Sequence, residues 1–157
     1  MSMLIGINHI ATVSSDLDRL IAFYERIFDA EKVVDLEIPP IGARHVFITL
    51  GGPAVLHAWQ MTDLDVARFD GEMFNRGRVD HFALQTDTYE KFEELRQRLI
   101  REGATAGEVN DFGVLLTFSF VDPDGLWAEV AWWKDGLEAA EIDMSKLVDP
   151  IAEAAGA

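Results

Sequence analysis

The sequence predicts an α+β fold made of two tandem βαβββ modules. Three observations support this prediction. A strand-like segment with a histidine occurs in each half, an amphipathic helix follows each segment, and three extended segments follow each helix. All of these features align, without a gap, when the chain is shifted against itself by 72 positions. Agreement of strand, helix and turn at one offset indicates an internal duplication.

The first strand and the first helix of each half establish the offset. "INHIA" places His9 where "VDHFA" places His81. The helix that follows has one apolar face in both halves, with residues spaced at i, i+3, i+7 and i+8. The face in the first half consists of Leu20, Phe23, Ile27 and Phe28, and the face in the second half consists of Phe92, Leu95, Leu99 and Ile100.

The ends of both helices also carry sequence signals. Ser15 with Asp18 resembles a capping pair at the start of the first helix, and Asp87 with Glu90 repeats it 72 positions later. Gly103 is a plausible stop for the second helix, because glycine readily adopts the left-handed conformation that ends many helices.

Three extended segments follow each helix. In the first half they are "KVVDLEIPP", "ARHVFITLG" and "AVLHAWQM", and in the second half "AGEVNDFG", "VLLTFSFV" and "LWAEVAWW". The last two segments of each half are separated by a Pro- and Gly-containing turn, at Gly51-Gly52-Pro53 and at "DPDG" from Asp122 to Gly125. Each half therefore has the order β-α-β-β-β.

These boundaries predict one domain over residues 1–157, with modules at 4–61 and 78–134. A connector at 62–77 and a tail at 135–157 fall at corresponding places in the two halves. Apolar residues in the tail have broadly helical spacing, which predicts a helix used for packing or subunit contact. They are Leu137, Ala140, Met144, Leu147, Val148 and Ile151.

Composition restricts the classes of function. The chain has 49% hydrophobic and 26% charged residues, which is typical of a globular protein, and no cysteine, which excludes disulfides and thiolate catalysis. The net charge of −15 argues against nucleic acid or an anionic membrane as a partner. No segment has the ~20 apolar residues that span a bilayer, and the N-terminus lacks a secretion signal. We therefore expect a soluble cytoplasmic protein.

The offset selects four candidate metal ligands. His9 aligns with His81, and His57 aligns with Glu129, so that all four residues form two pseudo-equivalent pairs in the first and last strands of the halves. Because strand side chains alternate between faces, each of the four stands among apolar neighbours on one face. An unpaired carboxylate there would cost roughly several kcal/mol of desolvation, and a divalent cation would remove that cost.

Each residue alone also has a structural interpretation. A single strand histidine is more often a hydrogen-bonded structural residue than a ligand, and Glu129 could pair with Arg44, Arg76 or Arg78. The structural interpretation is weaker for the set of four. His45 aligns with Thr117, which is not a metal ligand in this pattern, and we therefore assign His45 to the surface or the rim of a pocket.

At these residues the sequence resembles the vicinal oxygen chelate superfamily. This superfamily includes glyoxalase I, methylmalonyl-CoA epimerase, extradiol dioxygenases, fosfomycin-resistance enzymes and bleomycin-resistance proteins. The segments that carry the resemblance are "NHIATVSSDLDRLIAFYERIF", "DHFALQTDTYEKFEELRQRL" and "FSFVDPDGLWAEVAW". With the strands between them they cover nearly all of the chain from Ile5 to Trp133.

The resemblance implies mixed sheets that curl into a cleft holding one divalent metal ion. Ligands would come from the first and last strands of each module, which are His9, His57, His81 and Glu129 in this chain. The resemblance also implies a small-molecule substrate and a homodimer, since modules can pair within one chain or between two chains.

The residue at position 57 separates this chain from the narrower patterns. Glyoxalase I proteins commonly have a carboxylate there, and epimerases often have a glutamine. Extradiol dioxygenases use a triad of two histidines and one carboxylate, which His9, His81 and Glu129 would satisfy. Bleomycin-resistance proteins usually lack the ligands and sequester the drug.

Three functions therefore stay open. The first is an isomerase, epimerase or lyase that acts on a small oxygenated metabolite through a metal-chelated enediolate, with Glu129 as the ligand that loosens and acts as base. Imidazole-rich ligation suits zinc, nickel, cobalt, iron or manganese better than magnesium or calcium. The second is an Fe(II) extradiol-type dioxygenase. The third is a binding protein without turnover, whose cleft would be lined by Phe47, Trp59, Phe112, Trp127 and Trp133.

Overall fold

The computed structural model describes residues 7–61, 79, 81–134, 143, 146 and 148 of the 157-residue chain. The elements of the first module are β1 (His9–Val13), α1 (Leu17–Phe28), β2 (Lys32–Ile38), β3 (Ala43–Thr49) and β4 (Val55–Met61). Those of the second module are β5 (Phe82–Thr86), α2 (Tyr89–Glu102), β6 (Asn110–Asp111), β7 (Leu115–Val121) and β8 (Trp127–Trp133). A 3-10 turn at Pro39–Ile41 joins β2 to β3.

Each module forms its own four-stranded mixed sheet. The strand orders are β1-β4-β3-β2 and β5-β8-β7-β6. The first strand pairs in parallel with the last strand in both sheets, and the other pairings are antiparallel. These sheets, with one helix each, confirm the predicted α+β fold of two βαβββ modules. By contacts the chain divides into one unit of Met1–Arg78 with Asp122–Leu126 and another of Val79–Val121 with Trp127–Ala157.

The strand registers confirm the offset of 72. In the parallel pairs, Ala11 lies beside His57 and Ala83 lies beside Glu129. In the antiparallel pairs, Phe47 lies opposite His57, and Ser119, which is 72 positions further along, lies opposite Glu129. The two halves therefore agree in hydrogen-bonding register, and not only in the order of their elements.

Both helices begin one residue later than the capping signals predicted. The N-caps are Asp16 and Thr88, whose side chains accept hydrogen bonds from the backbone N–H of Arg19 and Lys91. The predicted caps Ser15 and Asp87 are wrong, although the true caps are again 72 positions apart. The predicted stop is confirmed, because Gly103 ends α2 with a left-handed φ of 76°.

The predicted apolar faces of the helices pack against the sheets. In α1, Leu20, Phe23 and Ile27 are buried, as is Tyr24, which the periodicity did not include. In α2, burial is less complete: Phe92 and Leu99 are buried, Leu95 is half-buried and Ile100 is 36% exposed. The sheets present alternate residues to the helices, including the fully buried Leu56, Ala58 and Val130.

A carboxylate from the β7–β8 turn lies at the N-terminus of α1. Asp124 accepts hydrogen bonds from the hydroxyl of Ser14 (2.5 Å) and from the N–H and hydroxyl of Ser15 (3.0 and 2.8 Å). Arg19 adds an ion pair at 2.9 Å, although its side chain is half exposed whereas that of Asp124 is almost completely buried. Ser15 therefore serves as a donor to this carboxylate and not as the helix cap.

The same turn carries a buried carboxyl group. Oδ1 of Asp122 accepts from the backbone N–H groups of Asp124 and Leu126 at 2.9 and 3.0 Å. The buried hydroxyl of Tyr24 lies near this carboxyl group. Burial raises the pKa of Asp122 to about 6. Burial, and then the charge of Asp122, raises the pKa of Tyr24 well above its usual value.

The predicted turns are confirmed, and one predicted strand is much shorter than expected. Gly51, Gly52 and Gly125 have positive φ at the two hairpin turns. The segment "AGEVNDFG" contributes only the two-residue strand β6. The connector at 62–77 and nearly all of the tail, including its predicted helix, lie outside the described residues. Among those described, Val148 donates from its backbone N–H to Phe112. No described helix is long and apolar enough to cross a membrane.

Candidate metal centre

His9 and His57 lie on the same face of the first sheet, on neighbouring strands. Leu56 and Ala58, which alternate with His57 along β4, are buried on the helix side of the sheet, so the two histidines lie on the opposite face. There His57 is half-buried and His9 is exposed. The centroids of the two imidazole rings are 5.6 Å apart, with an interplanar angle of 74°. Nδ1 of His9 hydrogen-bonds Oδ1 of Asn8 at 2.8 Å, which leaves Nε2 of His9 as the nitrogen not used in that bond.

A third imidazole belongs to this group. Nδ1 of His45 lies 3.0 Å from Nε2 of His57, within hydrogen-bonding distance. The ring of His45 stacks on Trp59, with centroids 4.5 Å apart and an interplanar angle of 14°. His45 is half-buried and directly contacts a candidate ligand, which fits the predicted rim of a pocket better than an open surface position.

The signal for His45 was present in the sequence, but within one half and not between the halves. The turn at Gly51-Gly52-Pro53 makes β3 and β4 an antiparallel hairpin, in which His45 lies opposite Trp59 and Phe47 lies opposite His57. His45 and His57 are thus diagonal neighbours on one face, close enough for long or aromatic side chains to meet. The offset of 72 compares positions in different modules and could not detect this pair.

The environment of His57 favours the neutral imidazole. Burial is the largest cause that lowers its pKa, followed by the positive charge that His45 and His9 would carry if protonated. A neutral imidazole has one nitrogen with a free lone pair, which is the form that binds a metal ion.

The second sheet holds the other candidate pair. Nε2 of His81 lies 3.9 Å from Oε2 of Glu129, and the two side chains are 38% and 19% exposed. The arginine interpretation of Glu129 receives no support from Arg44, which bonds Asp35 and Asp18 at 2.9 Å. Arg76 and Arg78, the other two arginines considered, lie outside the described residues.

The four predicted ligands thus lie as two pairs, one within each unit: His9 with His57, and His81 with Glu129. Within the part of the chain that the structure describes, no three His, Asp or Glu side chains are grouped closely enough to hold a metal ion. The ligand set of His9, His57, His81 and Glu129 stays a prediction.

Two aromatic side chains flank His57 on the first sheet. The ring of Phe47 is 4.3 Å from that of His57, at an interplanar angle of 77°, and Trp59 is 4.9 Å away. In the second sheet, Trp127 and Trp133 alternate with Glu129 along β8 and so share its face. The environment of the candidate ligands is therefore aromatic in both modules.

A separate cavity lies in the first unit, beside the start of α1. Its volume is about 640 Å³, and none of the four candidate ligands lines it. The segment "IPPIGA", residues 38–43, contributes Pro39, Gly42 and Ala43 to its walls. The lining residues are Ser15, Asp16, Asp18, Glu37, Pro39, Gly42, Ala43, Arg44, Gln60 and Met61.

Two mixed sheets with the order first, last, third, second strand, with the pair His9 and His57 at the first sheet and the pair His81 and Glu129 at the second, define a glyoxalase-like protein. Comparison with known families agrees: a family described as the Glyoxalase/Bleomycin resistance protein/Dioxygenase superfamily matches residues 6–130. The chain belongs to this superfamily, and the resemblance noted from the sequence is confirmed.

Solved structures of low sequence identity share the fold. A glyoxalase/bleomycin resistance protein/dioxygenase domain from Frankia sp. EAN1pec superimposes with a TM-score of 0.71 at 19% identity, covering 83% of this chain and 99% of that one. Trypanothione-dependent glyoxalase I from Leishmania major gives 0.67 at 21% identity, covering 98% and 100%. The fosfomycin resistance protein FosX from Listeria monocytogenes, in a complex with Mn(II) and sulfate, gives 0.59 at 20% identity, covering 85% and 96%. No curated protein sequence matches the chain.

Proposed function

We propose that this protein is a divalent-metal-dependent enzyme of the isomerase, epimerase or lyase type, acting on a small oxygenated metabolite. His9, His57, His81 and Glu129 would hold one zinc, nickel, cobalt, iron or manganese ion. The glyoxalase I and FosX structures share the fold of this chain, and FosX is described with Mn(II). They support the proposal at the level of the superfamily.

The observation that carries the proposal is the equivalence of His57 and Glu129. Both residues occupy the same register position in the last strand of their modules, beside Ala11 and Ala83 respectively. Each also lies close to a histidine at the start of its module: His9 is the first residue of β1, whereas His81 directly precedes β5 and is not, as predicted, within the strand. Two equivalent strand positions that both bear metal-binding side chains are difficult to explain by packing alone.

The donor atoms suit a transition metal. The three imidazoles are borderline donors, and zinc, nickel, cobalt and iron prefer such nitrogen-rich sets over the all-oxygen sites of magnesium and calcium. The hydrogen bond that Nδ1 of His9 donates to Oδ1 of Asn8 would orient that ring and leave Nε2 for the metal. When bound, such an ion supplies Lewis-acid chemistry, since it polarises the oxygens of a substrate.

Glu129 has the role of general base in this proposal. Its side chain is 19% exposed, and Oε2 lies 3.9 Å from Nε2 of His81. A carboxylate in such a position can take a proton from a substrate carbon next to a carbonyl group; the proton is then returned at the neighbouring carbon in an isomerase, or reaches the opposite face of the same carbon in an epimerase. Proton transfer of this kind accounts for an isomerase or epimerase reaction.

Removal of the second-module ligands tests the proposal. We expect His81→Ala and Glu129→Ala to abolish binding of zinc, nickel, cobalt, iron and manganese, each offered separately before dialysis and elemental analysis. Circular dichroism should show that both variants are folded. Gln85→Ala is a matched control, because Gln85 is an exposed residue on the same face as Ala83. This variant should bind metal like the wild type. Stoichiometric metal in both ligand variants would refute the site.

The contact between His45 and His57 favours an iron-dependent dioxygenase as a second candidate. If His57 stays bonded to His45, then His9, His81 and Glu129 form a set of two histidines and one carboxylate, the pattern of non-haem iron oxygenases. His57→Ala separates the two functions. Loss of bound metal supports the four-ligand isomerase, whereas retained Fe(II) with altered oxygen consumption supports the dioxygenase.

Sequestration without turnover is the third candidate, and the rings of Phe47 and Trp59 beside His57 are the observation that favours it. A planar aromatic ligand could stack against such side chains. An aromatic compound that binds equally well to the wild type and to the metal-free Glu129→Ala variant would support this function over catalysis.

A further inference from the structure

We propose that His45 is a positioning residue that controls whether Nε2 of His57 is available as a metal ligand. The inference rests on the proposed function, in which His57 is one of four ligands. It goes beyond that function because His45 is no ligand in the proposed set, lies on the third strand of its module and has no histidine or carboxylate at the equivalent position, Thr117.

The contact occupies Nε2 of His57 in either arrangement of protons. If Nδ1 of His45 carries the proton, it donates to Nε2 of His57 and uses the lone pair that a metal would need. If Nε2 of His57 carries the proton, it donates to Nδ1 of His45 and has no lone pair in the ring plane. Coordination by Nε2 of His57 therefore requires the bond to His45 to break.

Neighbouring rings hold the two histidines in this arrangement. Trp59 stacks on His45 with nearly parallel planes, and Phe47 meets His45 edge-on at a centroid distance of 5.9 Å. Phe47 also packs edge-on against His57 at 4.3 Å. A rotation of either imidazole has to give up aromatic contacts as well as the hydrogen bond, so the metal-free protein keeps His57 bonded to His45.

This competition lowers the affinity of the site for metal. His57 can bind the ion only after its hydrogen bond to His45 is broken. The net contribution of one such hydrogen bond corresponds to about a fivefold change in an equilibrium constant. Removal of the ring nitrogens of His45 should therefore tighten metal binding by about three- to tenfold. A role of His45 as a ligand predicts the opposite sign.

Two variants of His45 separate the hydrogen bond from the packing. His45→Phe keeps an aromatic ring against Trp59 but has no nitrogen. His45→Asn loses the ring, but its amide places a hydrogen-bonding atom close to the position of Nδ1, the atom that contacts His57. We expect tighter Zn(II) binding, measured by competition with a chromophoric chelator, in His45→Phe, and nearly wild-type binding in His45→Asn. Unchanged or weaker binding in His45→Phe overturns the proposal.

A second measurement needs no metal. The chain has four histidines, so that long-range ¹H–¹⁵N spectra of the metal-free protein should resolve every imidazole nitrogen. The ¹⁵N shifts of His57 should change in His45→Phe and be largely restored in His45→Asn. If the shifts of His57 are the same in all three proteins, the inference fails, even where metal binding by the wild type is normal. Failure of the proposed function appears separately, as metal retained in both His81→Ala and Glu129→Ala.

Discussion

Replacement of Asp122 by asparagine should increase the stability of the protein relative to the wild type, and this gain should be larger at neutral than at acidic pH. The folded carboxyl group has its pKa raised from 3.8 to about 6, mainly by burial. A group with a raised folded pKa contributes its full stability below the unfolded pKa, and this contribution is lost as the pH rises through the folded pKa. Complete ionisation of Asp122 therefore lowers the free energy of unfolding by about 3 kcal/mol, which is the energy equivalent of a pKa raised from 3.8 to about 6.

The pH range of the test follows from these values. The isoelectric point is near 4.4, so measurements below about pH 5 risk association of a protein with little net charge. About half of the total effect, ~1.5 kcal/mol, falls between pH 5 and pH 8. In Asp122→Asn, the amide oxygen can still accept from the N–H groups of Asp124 and Leu126, and no charge is buried at any pH.

Urea denaturation at pH 5 and pH 8 measures the effect as a difference of differences. The variant Asp122→Asn should gain stability relative to the wild type as the pH rises. The difference in the free energy of unfolding, variant minus wild type, should be about 1.5 kcal/mol larger at pH 8 than at pH 5. Asp111→Asn is a matched control, because Lys134 lowers the pKa of this exposed carboxylate, which is therefore ionised in the folded and the unfolded state from pH 5 to pH 8 and should give no pH-dependent difference in that range. A difference between Asp122→Asn and the wild type that is the same at both pH values would refute the assignment of the buried charge.

Two further predictions concern stability, both measured by urea denaturation. Asp124→Ala should lower the free energy of unfolding by about 2 kcal/mol, because it leaves the buried hydroxyl of Ser14 and the N–H of Ser15 without their acceptor. Arg19→Ala should cost less than about 1 kcal/mol, since its ion pair with Asp124 is half exposed, and equal losses would contradict this reasoning. Gly103→Ala and Gly107→Ala both place alanine at positive φ, but only at Gly107 would the new Cβ meet a side chain, 2.5 Å from Cδ1 of Ile100. We expect about 1 kcal/mol for Gly103→Ala and a clearly larger loss for Gly107→Ala; a loss at Gly107 no greater than that at Gly103 would show that Ile100 moves aside freely.

The features that the sequence predicted well depend on periodicity and repetition. The offset of 72 anticipated the shared faces of His57 and Glu129, because strand register in a duplicated fold follows from equal loop lengths in the two halves. The stop at Gly103 and the hairpin glycines were recognised because positive φ restricts the choice of residue.

The features that it missed depend on contacts between residues far apart in the chain. Ser15 is as competent a cap as Asp16, but Asp124, which is 109 positions away, uses its hydroxyl. Tyr24 became a core residue because the β7–β8 turn buries its polar end near Asp122. His45 was set aside because its partner lies across a hairpin and not at the equivalent position of the repeat. The homodimer, the metal and the substrate stay predictions.

The turn Asp122–Leu126 belongs to the first unit, although it is separated from Arg78 by more than forty positions of chain. The first unit is therefore discontinuous, and a ribosome that has released only residues 1–78 has not yet supplied the acceptor for Ser14 or the neighbour of Tyr24. Folding of the amino-terminal half should therefore reach completion late in translation, after β7 has emerged. A fragment that ends at Arg78 should be less stably folded than the same residues in the intact protein.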